Sequence, residues 1–464
     1  MEHDINANKP FWRNLRSRGN AAAIVDADRQ SVLTYAELAD DVERTEAALR
    51  VDRKALILLF AAIDAASIVF YLAALEGGHA IFLSPLSISH PGAVALIERY
   101  RPDFVLVRAG AQLENYQEEE SLNGYRVYSR LRICDPPPHP VLALLLSTSG
   151  STGNPKAVRL STNALCSGAR QVARALAIHS TDRALQCLPF SYVYGLTVLN
   201  SALYAGAAVV LVSGTPAEQS YWTRANRADV TTIAAVSLTF EIMRSLNVDG
   251  RSLPKLSRLT HSGDALNADL FRWVHAHFNA SLYLMYGQTE AGGRMTVLPP
   301  HYLPEARGSV GRAIPGSRIS LDANGEIVFC GPGVMLGYAE QREDLELGDV
   351  LNGVLRTGDI GKLDSRDLLH ITGRVSRHCK ITGKRISLDE VEAFLGATIP
   401  AAAVAAGSEV IVFIEERNLD THRTRMTLAS HFQVPPQNFR LVSISRLPRG
   451  DRGKVAYEAL RSML

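Results

Sequence analysis

The strongest constraint on the fold of this chain is an alternation. Through the first three-quarters, short runs of Val, Ile and Leu are each followed by a stretch with helical spacing. "DFVLV" (103–107) precedes "AQLENYQ" (111–117), "AAVVLV" (207–212) precedes "AEQSYWTRA" (217–225), and "TTIAAV" (231–236) precedes "LTFEIMRSL" (238–246). Strand followed by helix, repeated, predicts an α/β architecture with sheets covered by helices. The most apolar segment, "ALILLFAAIDAASIVFYLAALEGG" (55–78), follows the same rule. Asp64 interrupts it and Gly77-Gly78 end it, so it predicts a buried strand over 55–60, a turn, and a helix packed on a sheet, not a membrane span.

After about residue 300 the texture changes. "RGSVGRAIPGSRISLDANGEIVFCGPGVMLGY" (307–338) is rich in glycine and short apolar runs, which predicts a small β-rich subdomain with a turn at Asn324-Gly325. From Ser376 onward there are 13 Lys and Arg against 9 Asp and Glu, so this tail is +4 in a chain of net +2. A compact basic α+β module fits, ending near an amphipathic stretch at 454–463. The expected division is therefore a large N-terminal part, 1–375, and a small C-terminal domain, 376–464; a length of 464 residues supports more than one domain. "CDPPPHP" (134–140) is a stiff connector inside the first part.

At 47% hydrophobic and 21% charged the composition is that of a globular protein, and a net charge of +2 argues against a dedicated nucleic-acid binder. Five scattered cysteines contain no C-x-x-C pair, which reads as reduced thiols and no zinc site. "MEHDINANKPFWR" carries no signal-peptide pattern. The expected location is cytoplasmic, without membrane insertion.

The chemistry begins at "LLLSTSGSTGNPKAVRL" (144–160). An apolar run enters a cluster of hydroxyl residues and glycines, then a lysine. A Walker loop, G-x-x-x-x-G-K-[ST], is excluded: Pro155 takes the place of the second glycine and Ala157 that of the metal-binding hydroxyl. Anion holding remains open, as does an ordinary Ser/Gly turn, because Gly150 and Gly153 permit a tight turn lined with donors.

Further segments follow in order: "THSGDALN" (260–267), "LYLMYGQTEAGG" (282–293), "GVLRTGDIGKLD" (353–364), "GRVSRHCKITGKRI" (373–386) and "LPRGDRGKVAYEAL" (447–460). With the opening loop they resemble the motifs of the adenylate-forming superfamily of acyl-CoA synthetases, adenylation enzymes and luciferase-like ligases, over nearly the whole chain from "LTYAEL" (33–38) to Lys454. The resemblance implies ATP and Mg2+ as cofactors. A carboxylate attacks the α-phosphorus of ATP, pyrophosphate leaves, and a thiol of CoA or phosphopantetheine then takes the acyl group. The attacking carboxylate is already ionised at neutral pH, so the reaction needs charge neutralisation and positioning and no general base.

The resemblance also implies roles for individual residues. Thr148, Ser149, Gly150, Ser151, Thr152, Gly153 and Lys156 would hold the β- and γ-phosphates. Glu290, with Thr148, would ligate magnesium, as hard oxygen donors suited to that ion, and Thr289 would touch phosphate. Tyr286 and Gly287, with the turn Gly263, Asp264 and Ala265, would border adenine. Asp359 would accept from the ribose hydroxyls and Arg374 would contact ribose or phosphate. Lys454 would bridge the substrate carboxylate and the α-phosphate. The hinge between two poses of the small domain falls on Ser376, where the family usually has aspartate or lysine. Gly383 would line the thiol arm. Tyr457 stands where arginine often ends the last motif.

For the acid, "CLPFSYVYGLTVLNSALYAGAAVVLV" (187–212) resembles the acyl-pocket helix, with Tyr192 as a gate between acyl and thiol sites. Val236, Ser237, Gly287, Gln288, Gly292 and Gly293 are candidate pocket residues. That segment contains no aspartate to pair with an ammonium, which disfavours α-amino acids and favours an apolar or aryl acid. The leading expectation is an AMP-forming acid–thiol ligase with CoA as acceptor. Loading of an acyl carrier protein, amide formation, and an inactive nucleotide-binding scaffold are the alternatives.

Overall fold

The structure is a computed structural model that describes residues 10–147, 156–303, 305, 308–381, 384–395, 399–407, 409–415, 420–449 and 455–464. It divides into two compact units, the first drawn mainly from residues up to 318 plus 329–355, the second from 319–328 and 356 onward. The expected division at 375/376 falls inside the second unit.

Among the described residues, two large sheets organise the first unit. In one of eight strands, Leu142–Ser147, Ala80–Ser84, Leu56–Phe60 and Phe104–Val107 run parallel at the centre, and Ala157–Ser161 and Gly337–Ala339 extend one edge. Leu56–Phe60 is "LILLF", buried at every position, as a parallel strand covered on both faces must be. The helix Ala65–Glu76 follows, capped by the Asp64 carboxylate, which accepts from Ser67 N at 2.6 Å. It is apolar all round and stops at Gly77, with Gly78 at φ +71°. The apolar run at 55–78 is thus strand, turn and helix, and among the described residues no helix is long and apolar enough to cross a membrane.

The second sheet has nine strands, with Ser281–Tyr286, Arg258–His261, Thr232–Ala235, Arg183–Leu185, Ala208–Leu211 and Ala22–Asp26 parallel in that order. The helices Gln219–Arg227 and Ser237–Ser245 occupy the predicted positions. The predicted helix over 111–117 does not form. Asn115 takes a left-handed φ of 66°, and Tyr116–Glu118 is a strand paired with Arg126–Arg130. Seven residues are too few for a helix to stand without tertiary support. Here pairing satisfies the backbone, and the Tyr116 hydroxyl donates to Pro102 O at 2.8 Å.

In the second unit, the predicted β-rich region is a four-stranded sheet of Arg318–Leu321, Glu326–Cys330, Val354–Leu363 and Leu369–Arg374. Its first hairpin turns at Asn324-Gly325, with Gly325 at φ +79°. The tail is α+β: a three-stranded sheet of Ala401–Ala406, Glu409–Ile414 and Phe439–Ser443, with the helices Leu388–Leu395 and Thr421–Phe432. The amphipathic end is the short helix Tyr457–Arg461.

Candidate active site

The loop leaving strand Ser281–Tyr286 carries the most concentrated set of candidates. Its backbone folds back on itself: Gly293 N donates to Gln288 O (2.9 Å), Gly292 N to Thr289 O (3.1 Å) and Met295 N to Tyr286 O (2.9 Å). Gly287 is pressed so closely against this return that a Cβ there would lie 2.0 Å from Gly293 O. Only a residue without a side chain fits. Thr289–Ala291 forms a single 3-10 turn, and Met335 N donates to Glu290 O at 2.8 Å, which fixes Glu290 on the rim of the loop. Tyr286 is buried, and its hydroxyl accepts from Gln288 Nε2 at 3.3 Å.

Strand Gly337–Ala339 brings the distant candidates together. It pairs with Ala157–Ser161, the strand that follows Lys156. The Tyr338 hydroxyl donates to Glu290 Oε1 at 2.8 Å, while Lys156 Nζ lies 5.8 Å from the centroid of the same ring and 2.6 Å from Glu340 Oε1. A lysine and a carboxylate far apart in the chain therefore converge on one tyrosine. Tyr338 and Glu340 were not among the sequence candidates, and nothing in the local pattern "GYAEQ" marks them. The donor chemistry fits magnesium: Glu290 keeps a second carboxylate oxygen beyond the one bonded to Tyr338, and hard oxygen is what that ion takes. Thr148, Ser149, Gly150, Ser151, Thr152 and Gly153 lie outside the described residues, as do Gly383 and Lys454.

The turn Gly263, Asp264 and Ala265 follows strand Arg258–His261 at the same end of the sheet. Gly263 has φ +101°, and a Cβ there would meet the Tyr192 hydroxyl at 2.7 Å. Tyr192 and the turn are thus in close approach. Ser237 was expected to line an acyl pocket with Val236, its neighbour at the start of helix Ser237–Ser245. Its hydroxyl donates to Asp264 Oδ1 at 2.9 Å and lies 3.2 Å from His261 Nε2. Burial pushes the Asp264 carboxyl up, but His261, 3.0 Å away, and Ser237 outweigh it and hold it below the ordinary aspartate range. His261 was missed by sequence reading because an isolated histidine at a strand end carries no pattern.

Beyond Tyr192 the surroundings are aromatic. Its ring meets Tyr194 edge-on at 6.2 Å, and the Tyr194 hydroxyl bonds Thr260 Oγ1 at 2.7 Å. Arg294, directly after Gly292 and Gly293, stacks on Tyr194 with Cζ 3.8 Å from the ring centroid. It is 4% exposed, and burial pushes its guanidinium down from the ordinary value, partly offset by the phenols of Tyr194 and Tyr192. A desolvated cation–π contact is worth about 2 kcal/mol, whereas burying an ion costs roughly several kcal/mol. Arg294, too, was absent from the sequence candidates.

The second unit, by itself, holds Asp359 and Arg374 together across paired strands, with Arg374 Nε 3.0 Å from Asp359 Oδ1. Asp359 is buried and Arg374 exposed. Ser376 is exposed in the 3-10 turn Val375–Arg377. The next residue is anchored: Arg377 donates to Asp389 Oδ1 (2.6 Å), Ala403 O (2.9 Å) and Glu392, and its Cζ sits 3.9 Å from the centroid of the Tyr457 ring. Tyr457, a departure from the family pattern, thus has a packing role, and its hydroxyl donates to Glu392 at 3.0 Å.

The sequence profile of the family described as "AMP-binding enzyme" matches residues 11–339, more than half of the chain. The chain belongs to that family. It spans about half the length of the first curated relatives it matches. It is 31% identical to the oxalate–CoA ligase of Arabidopsis thaliana over 267 residues, 54% of this chain and 52% of that one. With the indoleacetate–CoA ligase of Aromatoleum aromaticum it shares 29% over 359 residues, 71% of this chain and 69% of the relative. Among solved structures, o-succinylbenzoate coenzyme A synthetase from Bacillus subtilis, in complex with ATP and a magnesium ion, superposes with a TM-score of 0.76 at 21% identity, covering 97% of this chain and 99% of that one. That likeness establishes the AMP-binding family's architecture here: a large α/β part followed by a smaller α+β one.

Proposed function

We propose that this member of the AMP-binding enzyme family is an AMP-forming ligase that converts ATP and an apolar or aryl carboxylic acid to acyl-adenylate and pyrophosphate, then passes the acyl group to the thiol of CoA. The observation that carries the reading is the convergence of Lys156 and Glu290 on Tyr338. A cation and a hard-oxygen carboxylate gathered around one tyrosine suit a triphosphate with its magnesium. When bound, magnesium would neutralise phosphate charge as the anionic acid approaches. Glu290 would hold it with Thr148, and Thr289 would touch phosphate. Lys156, Ser149, Gly150, Ser151, Thr152 and Gly153 would cradle the β- and γ-phosphates. Tyr286, Gly287 and the turn Gly263, Asp264 and Ala265 would border adenine, and Asp359 and Arg374 would serve the ribose. The aromatic surroundings of Tyr192 support an aryl or apolar acid, with Gln288, Gly292 and Val236 beside it.

Lys454 is proposed to bridge the attacking carboxylate and the α-phosphate in the first step. For the second, segment 376–464 would turn about Ser376 and bring Gly383 to the thiol arm. Phosphopantetheine on an acyl carrier protein is the rival acceptor. Carboxylate-dependent exchange of labelled pyrophosphate into ATP tests the first half-reaction, since an inactive scaffold gives none. CoA, carrier protein and amines offered to preformed acyl-adenylate test the second. Lys454→Ala is expected to lose exchange by orders of magnitude while keeping most thiolysis of added acyl-adenylate; equal loss of both would contradict the two-pose reading.

A further inference from the structure

Four arginines are buried among the described residues, and three have partners that explain it. Arg159 donates to the carbonyls of Leu336 (3.1 Å), Tyr338 (3.2 Å), Gly348 (3.3 Å) and Leu347. Arg342 pairs with Asp103 at 3.2 Å, and Arg377 with Asp389 and Glu392. Arg294 differs. It donates to one carbonyl, that of Gly293, at 2.6 Å and faces the Tyr194 ring; its Nε has no hydrogen-bond partner, as is also true of Arg342 Nη1, but unlike Arg342 it is paired with no carboxylate among the described residues.

Its position makes this informative. From the Gly263 turn inward, the Tyr192 hydroxyl lies against the turn, Tyr192 packs on Tyr194, and Tyr194 packs on the guanidinium. The series runs from a half-buried ring to a ring 1% exposed and then to a cation 4% exposed. Arg294 also directly follows the glycine pair of the loop that carries Glu290. A buried guanidinium without an anion is unfavourable in a low-dielectric surround, and its planar fork of donors suits a carboxylate-like group.

We propose that Arg294 determines acid specificity by pairing with a second anionic group at the far end of the substrate, so that the acid is an apolar or aryl carboxylate carrying a distal carboxylate or equivalent oxyanion. This rests on the ligase reading above. The reacting carboxylate stays free for the α-phosphate, and the distal one takes the unfilled donors of Arg294. A neutral tail would leave those donors unpaired, and sites built around such a donor reject analogues that lack the acceptor by large factors.

The test uses the full chain and matched acids on one carbon skeleton, such as phenylacetate against 4-carboxyphenylacetate and heptanoate against heptanedioate, in pyrophosphate exchange and in calorimetric binding. The doubly charged member is expected to win by at least about 100-fold in kcat/KM. Arg294→Met should abolish that preference chiefly through KM and abolish calorimetric binding of the dianion, and Arg294→Lys should restore part of both. Equal or better use of the neutral acids by the unaltered protein overturns the proposal even if Arg294→Met fails to fold. So does a folded Arg294→Met with unchanged preference, which would make Arg294 only a brace for Tyr194. No exchange with any acid, while the dianion still binds in an Arg294-dependent way, would overturn the ligase reading and leave Arg294 as an anion site.

Discussion

Replacing Tyr338 by Phe isolates a single interaction at the candidate magnesium site. The Tyr338 hydroxyl donates to Glu290 Oε1 at 2.8 Å, and the rest of the ring stays in place in the variant. A hydrogen bond to a charged group contributes about 1.5–3 kcal/mol. Tyr338 is 41% exposed, so solvent competes and the lower end, about 1.5 kcal/mol, applies. That corresponds to roughly a tenfold change in an equilibrium constant, in line with the roughly 10–100-fold loss of metal affinity when a partner orienting a ligand is removed. The assay is acid-dependent pyrophosphate release against free Mg2+ at saturating ATP. Tyr338→Phe should raise the half-saturating Mg2+ concentration about tenfold and keep most of the rate at saturation. Tighter Mg2+ dependence in the variant would mean that the hydroxyl competes with the ion. An unchanged dependence with a slower rate would mean that Glu290 is not its ligand; either result refutes the reasoning.

Other perturbations follow from the same geometry. The Lys156–Glu340 pair is largely exposed on both sides, and such pairs contribute about 0–1 kcal/mol. Glu340→Gln should therefore lower KM for ATP no more than about fivefold, with an effect that shrinks in high salt; a higher KM would show that Glu340 serves the substrate directly. Gly287→Ala places a methyl 2.0 Å from Gly293 O and must open the loop, at a cost of about 1–3 kcal/mol. Thermal melting should register the loss and exchange activity should collapse; wild-type exchange would count against the loop's role. Burial pushes the Asp135 carboxyl up, but Arg101 and Arg130 outweigh it and hold it at about 2, below its ordinary 3.8. The stabilisation is present above the ordinary value and is lost as pH falls through the lowered one. The stability gap between the unaltered protein and Asp135→Asn should accordingly close between pH 3.8 and about 2; a gap constant across that window would exclude this linkage.

The sequence by itself determined the elements and their chemistry. Runs such as "LILLF" and the capped helix after Asp64 are decided within a dozen residues, by periodicity, capping and glycine, and they form where expected. The order of the motifs likewise named the family without any knowledge of sheet order. The segment 111–117 shows where that reach ends: its helical spacing yielded to a strand partner, Arg126–Arg130, that a local window does not weigh. Tertiary structure alone decided that Tyr338 meets both Glu290 and the neighbourhood of Lys156, that Ser237 is engaged by Asp264 and His261, and that Arg294 is buried with no carboxylate partner among the described residues. Residue type does not reveal burial, and contacts between distant segments depend on which strands lie side by side. Charge becomes informative only once the surrounding dielectric and partners are known.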